Sequence, residues 1–362
     1  MIAAQDRSTW GLVSEIAGQP DLVGKSFLLS PRSVRSALSL LCLGARGPTR
    51  DEIDAFLGAA SEEALQNDPS AAARDLRRAE SPIRSATGLF TAPRTTLRAD
   101  FVERAEQALS ARVEPLRAGP EDAARQINTW VSQATEGRIP SIVSSVGSAV
   151  SLLVVSALYF KAEWAEKFNP MATFDRPFKL RSGEQVPRSA MHMTATLPLW
   201  RGAEWQGVEL AYRQSDFAMG IVLSADPARA TLDGAAIRAG FDAARPELVQ
   251  LQLPRFDVRA SLSLSAALMH LGVESVFEPA AADLSGISEE RLFASDVIHE
   301  ARVTVTEEGT EAAAATAIPL VQSLDRRQKV PFAVDRPFWF FLRDRRDGDI
   351  VFAGRVEDPK GA

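Results

Sequence analysis

The chain has 362 residues, 46% of them hydrophobic, which is enough to bury a large core. Its net charge of −6 and pI near 5.4 argue against nucleic-acid binding, which needs a basic stripe. The longest apolar run, Val150 to Phe160, is too short to span a membrane, and a single cysteine, Cys42, excludes an internal disulfide and a cysteine-based metal cluster.

Trp10, Val13 and Ile16 recur at helical spacing and predict a first amphipathic helix. The first thirty residues carry no basic start followed by an apolar core, so no signal peptide is read there. Phe27-Leu28-Leu29 is a short apolar strand, and Ser30-Pro31 reads as an N-cap followed by proline at the first helical position. Val34, Leu38, Leu41 and Cys42 share one face of that second helix, which makes Cys42 a buried, inert thiol. Gly44 to Gly47 ends it, and Thr49-Arg50-Asp51-Glu52 predicts a capping box opening a third helix.

Residues 60–84 are polar and alanine-rich and read as surface helix and loop. Ala86 to Thr91 suggests a strand, Asp100 is expected to cap a helix carrying Phe101, Ala105 and Leu109, and a further helix over 121–134 holds Ile127, Trp130 and Val131. Ser151 to Phe160 is continuously apolar with β-branched residues, as in a central strand buried on both faces. The middle third predicts strands at Val208 to Tyr212, Phe217 to Leu223 and Leu248 to Phe256, with helices near 230–240 and 262–271.

His299 to Val305 then alternates polar and apolar and runs directly into Glu307-Glu308-Gly309-Thr310-Glu311-Ala312-Ala313-Ala314-Ala315-Thr316-Ala317, which Ile318-Pro319 ends. Alone, Glu311 to Ala317 would make a good helix. Small residues that tolerate both strand and loop, joined to a strand through one glycine, point to a segment able to change state. The chain closes with a hairpin, Phe338 to Arg343 and Ile350 to Val356, turned by Asp347-Gly348. With no repeat and no linker, one mixed α+β domain over residues 1–362 is expected.

Catalytic chemistry finds little support. The histidines are His192, His270 and His299, and no Gly-x-Ser-x-Gly elbow accompanies them. His270, at a helix end, reads as packing, and Met191-His192-Met193 lacks the further ligands a soft metal would need. Gly44-Ala45-Arg46-Gly47 lacks the Lys-Ser/Thr of a phosphate loop. Arg74, Arg77, Arg78 and Arg84 are interspersed with acids and read as a solvated face.

Nearly the whole chain resembles the serpin family, with a prokaryotic member in view. Phe27-Leu28-Leu29-Ser30-Pro31 with Ser33, and Leu43-Gly44-Ala45-Arg46-Gly47-Pro48-Thr49, are similar to the family's second helix and its exit. Ile127-Asn128-Thr129-Trp130-Val131 with Gly137-Arg138-Ile139, then Leu158-Tyr159-Phe160-Lys161-Ala162-Glu163-Trp164 with Phe168, follow in the family's order. So do Leu253-Pro254-Arg255-Phe256, Leu271-Gly272-Val273, Ala282-Asp283-Leu284-Ser285-Gly286, His299, Glu308-Gly309-Thr310-Glu311-Ala312, Asp335-Arg336-Pro337-Phe338 and Phe352-Ala353-Gly354-Arg355-Val356.

The resemblance implies an α+β serpin fold: three β-sheets with a large central sheet, about nine helices, and an exposed reactive-centre loop with its hinge over residues 307–331. It implies a suicide-substrate inhibitor and no enzyme: a serine protease cuts the loop, and the cut loop inserts into the central sheet and stalls the acyl-enzyme. Glu307 to Thr316 would be the hinge, with Thr310, Ala312, Ala314, Thr316 and Ile318 facing inward on insertion and Glu311 facing water. Gly309 would supply backbone freedom, and Pro319 would leave one ladder position without a donor.

Family loops are cut about fourteen residues past the hinge glycine, a ruler set by about 3.3 Å of strand per residue. From Gly309 it lands on Ser323-Leu324, which suits elastase-like or subtilisin-like proteases. Arg326 or Arg327 would instead suit trypsin-like enzymes, and Leu324 a chymotrypsin-like pocket. Ser30, Ser33 and His299 match the polar network of the family's opening region, where Ser156 replaces an asparagine, and Trp164 is placed where insertion starts. No cofactor, no metal, no nucleic-acid or membrane partner and a monomer are expected; the sequence leaves the compartment open, and the implied function favours a secreted or periplasmic one. A non-inhibitory chaperone or carrier, and an inhibitor of papain-like cysteine proteases, are the alternatives.

Overall fold

Helix caps and apolar spacing account for most of the helical framework. The structure, a computed structural model, describes residues 2–58, 82–226, 232–310 and 328–360. Its first helix, Ile2–Gly18, buries Leu12, Val13 and Ile16. The second, Pro31–Gly44, begins as expected: Ser30 Oγ accepts from the Ser33 amide at 3.1 Å, and Pro31 sits where a missing N–H leaves no bond unmade. Nearly all of this helix is buried, Cys42 included, with its thiol 3.1 Å from Asp54 Oδ1.

Two expected caps are corrected. The third helix, Gly47–Leu57, starts two residues before Thr49. Thr49 Oγ1 instead accepts from the Asp283 amide at 3.1 Å, and the Glu52 carboxylate accepts the Glu274 and Ser275 amides at 2.9 and 2.8 Å. The capping-box residues therefore satisfy a neighbouring loop rather than their own helix end. Asp100 likewise lies inside the helix Ala99–Leu109, where it pairs at the surface with Arg98 and Arg104. Most of the 60–84 stretch lies outside the described residues, and its last two positions open the strand Ile83–Thr91.

The coordinates separate into two compact units interleaved in sequence. The first comprises Met1–Glu15, Leu29–Tyr159 and Ala260–Arg302. Its sheet has the order Arg112–Pro115, Ile83–Thr91, Leu152–Phe160, Ala294–Val305. All nine residues of Leu152–Phe160 are buried, as the unbroken apolar run predicts. That strand runs parallel to Ala294–Val305 and pairs with it directly, from Leu152 opposite Ala294 to Tyr159 opposite Arg302. The helix Pro120–Ala134 packs Ala123, Ile127 and Val131 onto Phe90, Val155 and Ala157. Gly88 makes room for Trp130: a Cβ there would lie 2.6 Å from the indole.

The second unit comprises Ile16–Leu28, Phe160–Arg259 and Val303–Ala362. Nine strands run Phe27–Leu29, Ile350–Val356, Phe338–Asp344, Phe217–Ser224, Trp205–Ala211, Gln185–Arg201, Arg245–Pro254, Val330–Ala333, with Phe174–Lys179 beside Gln185–Arg201. The 17-residue strand Gln185–Arg201 pairs with Phe174–Lys179, Arg245–Pro254 and Trp205–Ala211 and ties them into one run. It has no clear signature in the sequence, because Pro187 and Pro198 read as strand breakers. The terminal hairpin forms as predicted, with Gly348 at φ +75° in its turn.

Leu248 to Phe256 proves to be parts of two strands, Arg245–Pro254 and Phe256–Ser263, parted after Pro254, whose ring removes a donor. The second of these takes residues up to Ser263, so the helix expected over 262–271 shortens to Ser265–His270. His270 is exposed rather than packed, with Nδ1 2.8 Å from Glu15 Oε1. Seven α-helices are found among the described residues.

Candidate functional site

The sequence-selected residues fall into two clusters, each within one unit. The first is built around the strand exit at Thr306. The chain turns back on itself there, with the Thr306 amide donating to Gly309 O at 3.0 Å. Gly309–Thr310 then forms a short strand, antiparallel both to Val305 and to Ala162–Glu163. The glycine is required by proximity: at φ +152°, a Cβ would lie 2.1 Å from Ala162 O and 2.8 Å from Glu163 Cα. Gly309 is thus a docked position in this state, and the close approach adds a reason for glycine beyond chain freedom.

Thr310 is fully buried, and its hydroxyl lies 2.6 Å from Tyr212 OH. Burial drives that phenol far above its ordinary pKa, against the opposing effect of the Thr310 bond. Tyr212 stacks on Trp164 with ring centroids 4.5 Å apart and planes 16° from parallel. Trp164 is itself buried here. Its Nε1 donates to Thr306 O at 2.9 Å and its amide to Glu308 O at 3.0 Å.

The two glutamates are gripped from different partners. Glu307 receives Arg255 Nε at 2.9 and 3.0 Å and Nη2 at 2.6 Å, together with the Thr173 hydroxyl at 2.5 Å. Burial alone would raise this carboxyl, but Arg255 and Thr173 hold it below the usual range. Glu308 Oε2 lies 2.6 Å from Lys167 Nζ. Arg255, Thr173, Lys167 and Tyr212 were not singled out for this role by sequence. Arg255 stands in a motif without an evident charge partner, because Glu307 lies 52 residues away. Glu311 to Thr316, and with them Ala317 and Ile318, Ser323 and Leu324 of the expected cut, and the alternatives Arg326 and Arg327 lie outside the described residues.

The second cluster joins the start of helix Pro31–Gly44 to the paired strands. The Ser30 amide donates to His299 Nε2 at 3.0 Å, and His299 stands opposite Ser156 in the strand register. Ser156 Oγ hydrogen-bonds to Ser33 Oγ and lies 3.2 Å from Ser33 O. Ser30, Ser33, Ser156 and His299 lie together here, with Ser156 ending on Ser33 and His299 Nδ1 left without a side-chain partner. Burial lowers the His299 pKa to about 4, with the Ser156 backbone pulling the other way. Among the described residues no group of three or more His, Cys, Asp or Glu side chains could hold a metal, and no helix is long and apolar enough to cross a membrane.

Comparison with known proteins identifies relatives of the chain. The family model described as serpin (serine protease inhibitor) matches residues 4–359. A leukocyte elastase inhibitor of Bos taurus is 35% identical over 92% of this chain and 93% of its own length. An uncharacterized serpin-like protein of Thermococcus kodakarensis is 32% identical over 99% of this chain and 86% of its own. Among solved structures, Serpin48 of the insect Tenebrio molitor, described as a highly specific serpin, matches with TM-score 0.85 at 27% identity, covering 99% of this chain and 97% of that one.

Proposed function

The chain belongs to the serpin family, and from that premise we propose that it is an inhibitory member, a protease inhibitor and not an enzyme. The observation that carries this reading is the direct parallel ladder between Leu152–Phe160 and Ala294–Val305. The second of those strands continues into a chain that has already reversed at Thr306–Gly309. A strand continuing from Thr310 would run antiparallel to both. Its entry exchanges one parallel ladder for two antiparallel ones, which are the more stable pairing per residue. The uninserted chain therefore holds free energy that loop cleavage releases.

Small residues from Ala312 to Thr316 suit rapid entry, since each inward side chain must pass between packed strands. Within one serpin domain over residues 1–362, residues 307–331 are the hinge and reactive-centre loop, and Ser323-Leu324 is the cut bond. A small residue before the cut fits an elastase-like or subtilisin-like specificity pocket, and the relative named as a leukocyte elastase inhibitor supports that choice.

Incubation with elastase-like, subtilisin-like, trypsin-like and chymotrypsin-like proteases, followed by denaturing electrophoresis, tests the reading. The expected result is a heat-stable and detergent-stable complex, with a released C-terminal peptide that begins at Leu324. Cleavage by every protease without a complex would overturn it, and a peptide that begins after Arg326 or Arg327 would move the cut.

A further inference from the structure

We propose that Lys167 is a positioning residue that clasps the hinge turn shut and sets how readily Gly309–Thr310 is released. This rests on the reading of Glu307–Thr310 as the hinge. Glu307 and Glu308 are neighbours in the turn between Thr306 and Gly309, yet they engage different partners. Glu307 is held by Arg255 and Thr173, whereas Glu308 is held by Lys167 at 2.6 Å. Lys167 Nζ also lies 3.1 Å from Glu163 Oε2, and Glu163 in turn lies 3.8 Å from Arg213 Nη1.

Lys167 thus ties two elements of one pairing together. Glu163 belongs to the strand against which Gly309–Thr310 is docked, and Glu308 immediately precedes Gly309. The pair is sheltered: the side chains of Lys167 and Glu308 are 15% and 12% exposed, so solvent screens it less than a surface ion pair. Glu308 first, then Glu163, holds the Lys167 ammonium above its usual pKa. The backbone bonds from Trp164 to Glu308 O and from Phe168 to Glu307 O would form with almost any sequence, whereas the charge bridge needs these side chains. Any movement of the turn that carries Glu308 away must first separate it from Lys167.

Hydrogen–deuterium exchange of the 304–310 segment in the uncleaved full-length chain reads this release directly. Lys167→Met is expected to speed exchange there by about tenfold or more, with the Phe338–Val356 hairpin unchanged. Lys167→Arg should restore most of the protection, Glu308→Gln should match Lys167→Met, and the double variant should open no further than either single one. Unchanged exchange in Lys167→Met, or additive effects in the double variant, would overturn the proposal. If Lys167→Met perturbs the whole chain, the Glu308→Gln result decides. Failure of every protease to form a stable complex would remove the inhibitory reading while leaving this exchange comparison intact, so the two failures are separable.

Discussion

His299 shows how one side chain can couple packing to pH. Its ring is fully buried, and Nε2 accepts the Ser30 amide, so protonation would place two donors face to face. Its folded pKa of about 4 lies below the ordinary 6.5. Between those values the unfolded chain takes up a proton that the folded chain refuses. The stabilisation from neutral His299 is therefore fully present above pH 6.5 and is lost as pH falls toward 4, a total on the order of 3 kcal/mol. Unfolding midpoints measured across that range should fall for the wild type and fall less for His299→Gln, whose amide oxygen can still accept from Ser30. Parallel curves would assign the acid sensitivity to other groups.

The short strand Gly309–Thr310 is defined by what it lies against. The Gly309 position admits no Cβ without displacing Ala162 and Glu163 backbone, so Gly309→Ala should push Gly309–Thr310 off its partner. An overpacked site of this kind costs about 1–3 kcal/mol. The expected result is a lower thermal midpoint and a changed Trp164 emission, since Trp164 binds Thr306 O and stacks on Tyr212. A variant with wild-type midpoint and emission would show that the close approach is dispensable. The sequence marked this glycine for freedom, but proximity to residue 162 depends on a pairing 147 residues away, which local pattern cannot express. Local signals did reveal the Ser30 cap, the buried run at 152–160 and the Asp347-Gly348 turn, because each rests on neighbouring residues. They misplaced Thr49 and Asp100 for the same reason: Ser/Thr/Asp followed by a helix looks like a cap even when the side chain serves another loop, as Thr49 does, or pairs with arginines at its own helix start, as Asp100 does. The family resemblance, carried by motifs in order, supplied the long-range part that periodicity could not.

For the molecule as a whole, the key contrast is between two ways of completing one sheet. In the uncleaved chain Leu152–Phe160 and Ala294–Val305 satisfy each other through a parallel ladder, and the reversal at Thr306–Gly309 is already made. Under the proposed function, entry of a further strand would have to part that ladder, together with the Ser33–Ser156 and Ser30–His299 bonds beside it. Under the proposed function, cutting Ser323-Leu324 would free the N-terminal part of the loop to follow Thr310 inward. An added strand of about a dozen residues gains roughly one net ladder bond per residue at about 1 kcal/mol each, on the order of 10 kcal/mol in all. For a chain of this size that corresponds to a thermal midpoint raised by roughly 13 °C. Calorimetry before and after limited cleavage in the 311–327 segment measures it. A midpoint that stays the same or falls would mean that the cut loop remains outside, and a chain that cannot insert its loop cannot trap a protease by distortion.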